Sequence, residues 1–183
     1  MQTADKLEVF FHGIKVGTLA PYNKYQTAFE YSKKWLNEGF SISPFSLPLE
    51  AGVKIARPDP FDGLFGIFAD SLPDGWGRLL MDRTLRKLGE RPEEINSFAR
   101  LSIVGNTGMG ALEYKPVFKI ARAQASCELD KIANECAKVL RSEDSAELDT
   151  LFALGGSSGG ARPKVLINID GEEWIIKFPS SHD

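Results

Sequence analysis

Residues 154–164 of the chain read LGGSSGGARPK, and the next five, VLINI, have the β-branched and apolar character of a strand. Glycine tolerates positive φ and has no side chain, so such a loop can bring backbone N–H groups close to a phosphate. A second lysine, Lys177, lies within the run WIIKF at 174–178. Because a lysine on a neighbouring strand can contact phosphates as a point charge, this pattern is typical of a kinase-type nucleotide site.

The loop does not match the two common phosphate-binding motifs. Gly155 and Gly160 have the spacing of a P-loop, but Ala161-Arg162 follows where that motif requires lysine and then serine or threonine. A P-loop also opens a helix, whereas Pro163 and the residues after it predict a strand. The chain contains no G-x-G-x-x-G. From pattern alone, a flexible loop before a hairpin therefore remains the alternative to nucleotide binding.

The end of the chain predicts a hairpin with two lysines facing each other. If Asp170-Gly171 forms a two-residue turn, Lys164 lies directly opposite Lys177, and a longer turn would break this pairing. Like charges that face each other across a sheet are destabilising unless an anion lies between them. The apolar neighbours of Lys177 predict a buried strand, in which a lysine needs a partner. That partner is a phosphate or an internal carboxylate.

The bulk composition excludes several classes of protein. With 43% hydrophobic and 26% charged residues and a net charge of −3, the chain of 183 residues is typical of globular proteins and gives no sign of nucleic-acid binding. No apolar run approaches the roughly 18–20 residues of a membrane helix, and the N-terminus does not resemble a signal peptide. The two cysteines, Cys127 and Cys136, are too few for a disulfide framework. With only two histidines, His12 and His182, the sequence also argues against a zinc site. We expect a cytoplasmic protein without a membrane partner.

The periodicity along the chain predicts an α+β fold with a β-rich N-terminal subdomain. The predicted strands are a hairpin over 7–19 and segments at 28–31, 111–117 and 164–177, with loop and edge strand over 40–60. The predicted helices are 32–38, a helix beginning near Asp74 and ending at Gly89, 92–104, 128–141 and 145–154. Segment 119–127 is the best candidate for a domain boundary.

Two features of the helix after Asp74 allow a structural or a functional interpretation. Its basic stripe, from Arg78 to Arg91, is a solvated face supported by pairs such as Arg78–Asp82, or else a surface that contacts a partner or nucleic acid. Trp76, between two glycines, is a packing residue or a residue that stacks on a ligand.

Three segments of the chain together resemble a known family. They are VFFHGIKVGTL at 9–19, FDGLF at 61–65 with DSLPDGWG at 70–77, and SSGGARPK at 157–164. In these segments the chain resembles the N-terminal portion of the HipA-like serine/threonine kinases, which are toxins of type II toxin–antitoxin modules linked to persistence. The resemblance spans nearly the whole chain.

The resemblance implies two domains and a nucleotide site. Residues 1–118 would be the N-terminal subdomain, and residues 119–183 the start of the kinase N-lobe. The loop would cover the phosphates of ATP, with Mg as the metal, and full binding of both would need the family's C-terminal part downstream of residue 183. Ser157 matches the serine that the family autophosphorylates, and this phosphorylation ejects the loop. The adjacent Ser158 stands where the family often has an apolar residue, so it competes with Ser157 as the acceptor. The implied contacts of ATP are Gly156, Ser157, Ser158, Gly159, Gly160, Ala161, Lys164 and Lys177.

The resemblance also implies partners and a missing part. The family's catalytic and metal-binding aspartates lie downstream of residue 183, so we expect no catalytic residue in this chain, which would be an inactive N-terminal fragment. The implied partners are a helix-turn-helix antitoxin, through which DNA would be contacted indirectly, and a protein substrate such as an aminoacyl-tRNA synthetase. The alternative is a freestanding interaction module without catalysis.

Overall fold

The computed structural model describes residues 4–120 and 128–179 and confirms the α+β fold class. Its strands are β1 (Leu7–Phe11), β2 (Ile14–Asn23), β3 (Gln26–Tyr31), β4 (Lys54–Ile55), β5 (Leu112–Lys115), β6 (Lys164–Ile169) and β7 (Glu172–Lys177). Its α-helices are α1 (Lys33–Glu38), α2 (Gly66–Ala69), α3 (Gly75–Lys87), α4 (Ser97–Val104), α5 (Leu129–Leu140) and α6 (Leu148–Gly155).

The described residues form two compact units. The first runs up to Leu72 and resumes from Glu93 to Phe118, and the second comprises Pro73–Pro92 and the chain from Lys119 onward. These units do not coincide with the ranges 1–118 and 119–183, because the segment that contains α3 belongs with the second unit. Much of the boundary segment 119–127 lies outside the described residues.

The first unit is built on a five-stranded antiparallel sheet with the order β4-β3-β2-β1-β5. The predicted hairpin over 7–19 is confirmed, and its turn consists of His12 and Gly13, both with positive φ. The short β4 forms one edge of the sheet, as expected of a segment rich in proline. Long-range antiparallel pairing therefore organises the N-terminal part of the chain.

The core of the first unit is aromatic. The ring centroid of Phe29 lies 5.0 Å from that of Tyr31 and 5.2 Å from that of Phe68. The hydroxyl of Tyr31 donates to the Leu47 carbonyl at 2.7 Å, so a buried polar atom in this core is hydrogen-bonded. Burial raises the pKa of Tyr114, whose hydroxyl lies 2.6 Å from that of Ser71.

The FDGLF segment of the first unit has a structural role. Thr27 binds the Gly63 carbonyl twice, through its backbone N–H at 2.9 Å and its hydroxyl at 2.7 Å. Gly63 has a φ of +76°, and a Cβ atom there would lie 1.9 Å from the Tyr25 carbonyl oxygen. Only glycine combines a readily adopted positive φ with the absence of a Cβ atom. The motif therefore holds the loop against the start of β3.

The second unit packs α3, α5 and α6 against the β6–β7 hairpin. Its core contains residues from each of these elements, with Trp76 and Leu80 contributed by α3. The other buried members are Ile132, Cys136, Val139, Leu148, Leu151, Val165 and Phe178. At the connection between α5 and α6, the Glu135 carboxylate accepts hydrogen bonds from the Ser145 hydroxyl and the Ala146 N–H. The hydrogen bond from Lys138, and after it the one from Ser145, holds the pKa of Glu135 below its ordinary value.

The predicted continuous helix over 92–104 is wrong at its start. Pro92–Glu94 forms a 3₁₀ turn, and α4 begins only at Ser97. Asn96 is the N-cap, and its side-chain oxygen accepts the Ala99 N–H at 2.8 Å. The asparagine cap therefore restarts the helix after the turn.

Within residues 4–120 and 128–179, every helix is too short or too polar to cross a membrane.

The aromatic core of the first unit generates a stability prediction. Phe29→Ala should lower the free energy of unfolding by about 3–5 kcal/mol, because it removes a buried ring that neighbouring rings contact. Phe45→Ala is the matched control, since Phe45 is fully exposed whereas Phe29 is 1% exposed. Urea unfolding of both variants measures the difference, and equal losses of stability would contradict this account of the core.

Candidate functional site

The β6–β7 hairpin has the register that its sequence predicts. Asp170 and Gly171, with φ of 53° and 89°, form the two-residue turn. Ile169 pairs with Glu172, and Lys164 pairs with Lys177 at the other end of the ladder. The conditional prediction of two facing lysines is therefore confirmed.

The burial of Lys177 differs from the prediction. Lys177 is exposed, whereas Lys164 is only 6% exposed. The prediction of a buried β7 is wrong, because among the described strands β6 and β7 form a sheet of only two and Ile175 on β7 is about half exposed. Hydrophobicity alone predicted a covered strand here, but coverage depends on what packs against each face.

Lys164 is held against the glycine-rich loop. Its ammonium donates to the carbonyl of Gly159 at 2.5 Å and to that of Gly160 at 3.3 Å. Burial lowers the pKa of Lys164, the charge of Lys177 lowers it further, and the Asp74 carboxylate acts in the opposite direction. Two ammonium groups and one carboxylate thus act on each other beside the loop.

The two ends of the loop differ in exposure. Gly156 caps α6 and is buried, Ser157 is half-buried, and Ser158 is fully buried. The Ser158 hydroxyl donates to the Gly155 carbonyl at 2.6 Å, so it is committed to the loop itself. Beyond it, residues 159–161 are exposed, and Gly160 has a φ of +85°. The exposed residues that an anion could reach therefore lie at 159–161, and the N–H of Gly160 among them is bonded to the Asp74 carboxylate.

The start of α3 binds this loop directly. The Trp76 N–H donates to the Gly160 carbonyl at 2.9 Å, and the Gly160 N–H donates to the Asp74 carboxylate. The Trp76 indole N–H donates to the Lys164 carbonyl at 3.1 Å. Trp76 is 1% exposed, which confirms that it is a packing residue. The sequence interpretation treated the DGWG segment and the loop as separate motifs and missed these contacts.

The glycines on both sides of this contact allow the backbones to approach closely. A Cβ atom on Gly77 would lie 2.3 Å from the Ser158 carbonyl oxygen, and one on Gly75 would lie 2.7 Å from the Gly160 carbonyl. A Cβ atom on Gly155 would lie 2.3 Å from the Lys164 carbonyl oxygen. These positions need glycine for space. The flanking of a tryptophan by two glycines was the signal in the sequence that a second backbone packs there.

The basic stripe on α3 makes contacts within the second unit. Lys87 forms an ion pair with Asp149 at 2.9 Å, and Arg83 donates to the Glu143 carbonyl at 2.9 Å. Arg78 lies 4.0 Å from Asp82, the pair expected on a solvated helix face. These contacts favour the structural interpretation of the stripe.

Comparison with known proteins identifies one domain. The profile of the HipA N-terminal domain matches residues 7–115, which is more than half of the chain. The matched region includes the start of α3, and it ends before the glycine-rich loop. A search of the curated proteins found no match.

The close approach of α3 to the loop generates a prediction with an unusual sign. Glycine to alanine within a helix normally stabilises by up to about 1 kcal/mol, but Gly77→Ala should destabilise by about 1–3 kcal/mol because its methyl group collides with the Ser158 carbonyl. Gly110→Ala is the control, since a Cβ atom there meets nothing within 4 Å. Thermal unfolding of both variants tests this. A stabilised Gly77→Ala protein would contradict the packing.

Proposed function

This chain belongs to the family of the HipA N-terminal domain, and we propose that it is the N-terminal portion of a HipA-like serine/threonine protein kinase from a toxin–antitoxin module. In this proposal, loop 155–164 covers the phosphates of ATP. One observation carries the assignment: Lys164 and Lys177 face each other across the hairpin beside an exposed glycine-rich backbone.

The facing lysines support an anionic ligand. Two ammonium groups paired across a sheet repel each other, and here the repulsion contributes to the lowered pKa of Lys164. A phosphate between or beside them would remove this repulsion. A single neighbouring carboxylate, Asp74, only partly offsets the two positive charges. These three groups therefore leave a net positive charge beside the exposed residues of the loop, as a phosphate site requires.

The residues at hand fit the phosphates of ATP. Gly159 and Ala161 supply exposed backbone on either side of Gly160, whose N–H is bonded to Asp74, and Lys177 supplies an exposed ammonium. Gly156, Ser157 and Lys164 would support the loop from beneath. Ser158 would contribute packing rather than its hydroxyl. ATP supplies the phosphoryl group, and Mg would arrive as Mg-ATP. Among residues 4–120 and 128–179, no group of three or more histidine, cysteine or acidic side chains is suited to hold a metal.

The remaining parts of the proposal concern partners and the rest of the kinase. The family's catalytic and metal-binding aspartates would come from a further part of the protein, and the half-exposed Trp174 and Ile175 on β7 offer an apolar surface for it. The first unit would contact a helix-turn-helix antitoxin, and DNA only through that antitoxin. The phosphorylated substrate would be a protein such as an aminoacyl-tRNA synthetase, in the cytoplasm.

A second candidate function is an interaction module without catalysis. It is favoured by large exposed side chains on the first unit: Tyr22, Tyr25 and Phe45 are 59%, 66% and 102% exposed. Exposed aromatic residues are enriched at protein interfaces. This function needs no nucleotide, so nucleotide binding separates the two candidates.

Nucleotide binding by the chain is the direct test. Adding Mg-ATP should shift the amide resonances of Gly159, Gly160 and Ala161 in an NMR titration, because these residues carry the exposed loop backbone. Lys177→Ala should weaken binding by about 1 kcal/mol, at the low end for a charge-assisted bond because Lys177 is exposed.

Lys34→Ala is the matched control, because Lys34 is an exposed lysine on α1 in the first unit. It should bind Mg-ATP as the unaltered chain does. Loop resonances that do not respond to Mg-ATP in the chain, together with an unchanged Mg-ATP affinity on Lys177→Ala in the kinase that carries this loop, would refute the nucleotide site and favour the interaction module.

The loop also generates a prediction about autophosphorylation. In the kinase that carries this loop, incubation with Mg-ATP should phosphorylate Ser157 and leave Ser158 unmodified, because the Ser158 hydroxyl is buried and donates to the Gly155 carbonyl. Mass spectrometry of the loop peptide distinguishes the two serines. Ser157→Ala should abolish the modification and Ser158→Ala should retain it. Phosphate on Ser158, or an unmodified loop, would contradict the assignment.

A further inference from the structure

We propose that Asp74 is a positioning residue that holds loop 155–164 in the conformation described above through the backbone of Gly160. The inference rests on the proposed function, since it concerns how the phosphate-binding loop is kept in place and released. We call Asp74, Trp76 and Gly160 the loop clamp.

The side chain of Asp74 does not cap its own helix. Asp74 is the N-cap residue of α3, a position where aspartate normally accepts an N–H from the first turn of its own helix. Here the side chain makes no such bond, and its carboxylate accepts the N–H of Gly160 on the loop instead. The predicted start of the helix near Asp74 is confirmed, but the side chain of Asp74 does not cap that helix.

Gly160 compensates by capping the helix. The first N–H groups of a helix have no partner within the helix. One of them, on Trp76, donates to the Gly160 carbonyl at 2.9 Å. Gly160 is thus held on both sides of its peptide backbone, by the Asp74 carboxylate and by the Trp76 N–H. The exchange makes the loop part of the helix cap.

The clamp lies at the point where the loop must be positioned. Gly159 and Ala161, on either side of Gly160, carry the exposed backbone of the proposed phosphate site. Lys164 donates to the carbonyls of Gly159 and Gly160, so the position of its ammonium group depends on the position of the loop. Ejecting the loop requires that both bonds of Gly160 break. Loss of Asp74 should therefore release the loop without any phosphorylation.

The two clamp residues at the start of α3, Asp74 and Trp76, differ in burial. Trp76 lies in the core, so changing it would disturb the whole second unit. Asp74 is exposed, and its side chain makes no bond to its own helix. A change at Asp74 therefore probes the loop contact with little effect on the rest of the fold.

The experiment compares Asp74→Ala and Asp74→Asn in the 183-residue chain by hydrogen exchange. Asp74→Ala should speed amide exchange in loop peptides by about fivefold, the factor for one lost hydrogen bond. Asp74→Asn keeps an amide oxygen as acceptor and should recover part of the protection. Asp170→Asn, in the hairpin turn, is the control and should leave loop exchange unchanged.

A Mg-ATP titration of the same variants connects the clamp to the nucleotide. Both substitutions remove the negative charge of Asp74, so their difference reports the loop contact, and Asp74→Ala should bind Mg-ATP about three- to tenfold more weakly than Asp74→Asn. Unchanged loop exchange in Asp74→Ala, or faster exchange throughout the chain, would overturn the clamp. Equal Mg-ATP affinities of the two variants despite faster loop exchange in Asp74→Ala would also overturn its positioning role. If neither the unaltered chain nor the kinase that carries this loop binds Mg-ATP, the proposed function fails, and the exchange data alone decide whether the clamp exists.

Discussion

The second unit depends on the burial of Trp76. Its indole lies in the core formed by α3, α5, α6 and the hairpin, and its ring N–H reaches the Lys164 carbonyl at the start of β6. A buried indole needs a partner for its N–H, and a backbone carbonyl satisfies it without a charge. This one side chain therefore fixes α3 against the loop and the hairpin, and the flanking Gly75 and Gly77 provide the space.

The glycine-rich loop combines close packing with exposure. Gly155 and Gly156 meet backbone or ring atoms within 2.5 Å of a hypothetical Cβ atom, so they allow tight passage of the chain from α6. Gly159 and Gly160 are exposed and face Asp74 and Lys164. Composition alone suggests flexibility for all four. Their contacts indicate that the first pair anchors the loop and the second pair presents its backbone.

The sequence predicted the local turn and strand pairing correctly, but it did not predict which strand faces are covered by other elements. The turn at Asp170-Gly171 determined the pairing of Lys164 with Lys177, because a two-residue turn fixes the register. The burial of Lys177 was predicted wrongly, since an apolar strand is buried only where another element covers it. The contact of Asp74 with Gly160 was missed because it joins residues distant in sequence through one backbone N–H, which leaves no periodic signal.

The contacts of α3 explain why the matched domain contains residues whose partners lie outside it. The match spans 7–115, yet Asp74, Trp76 and Gly77 within it bind or pack against residues 158–164. In a module limited to the matched region, Trp76 would lose most of its core neighbours and the indole partner, and Gly77 would lose its closest neighbour, the Ser158 carbonyl oxygen. These residues are accounted for when the loop is present. The DGWG segment is therefore best understood as the part of the N-terminal domain that is built to hold the loop.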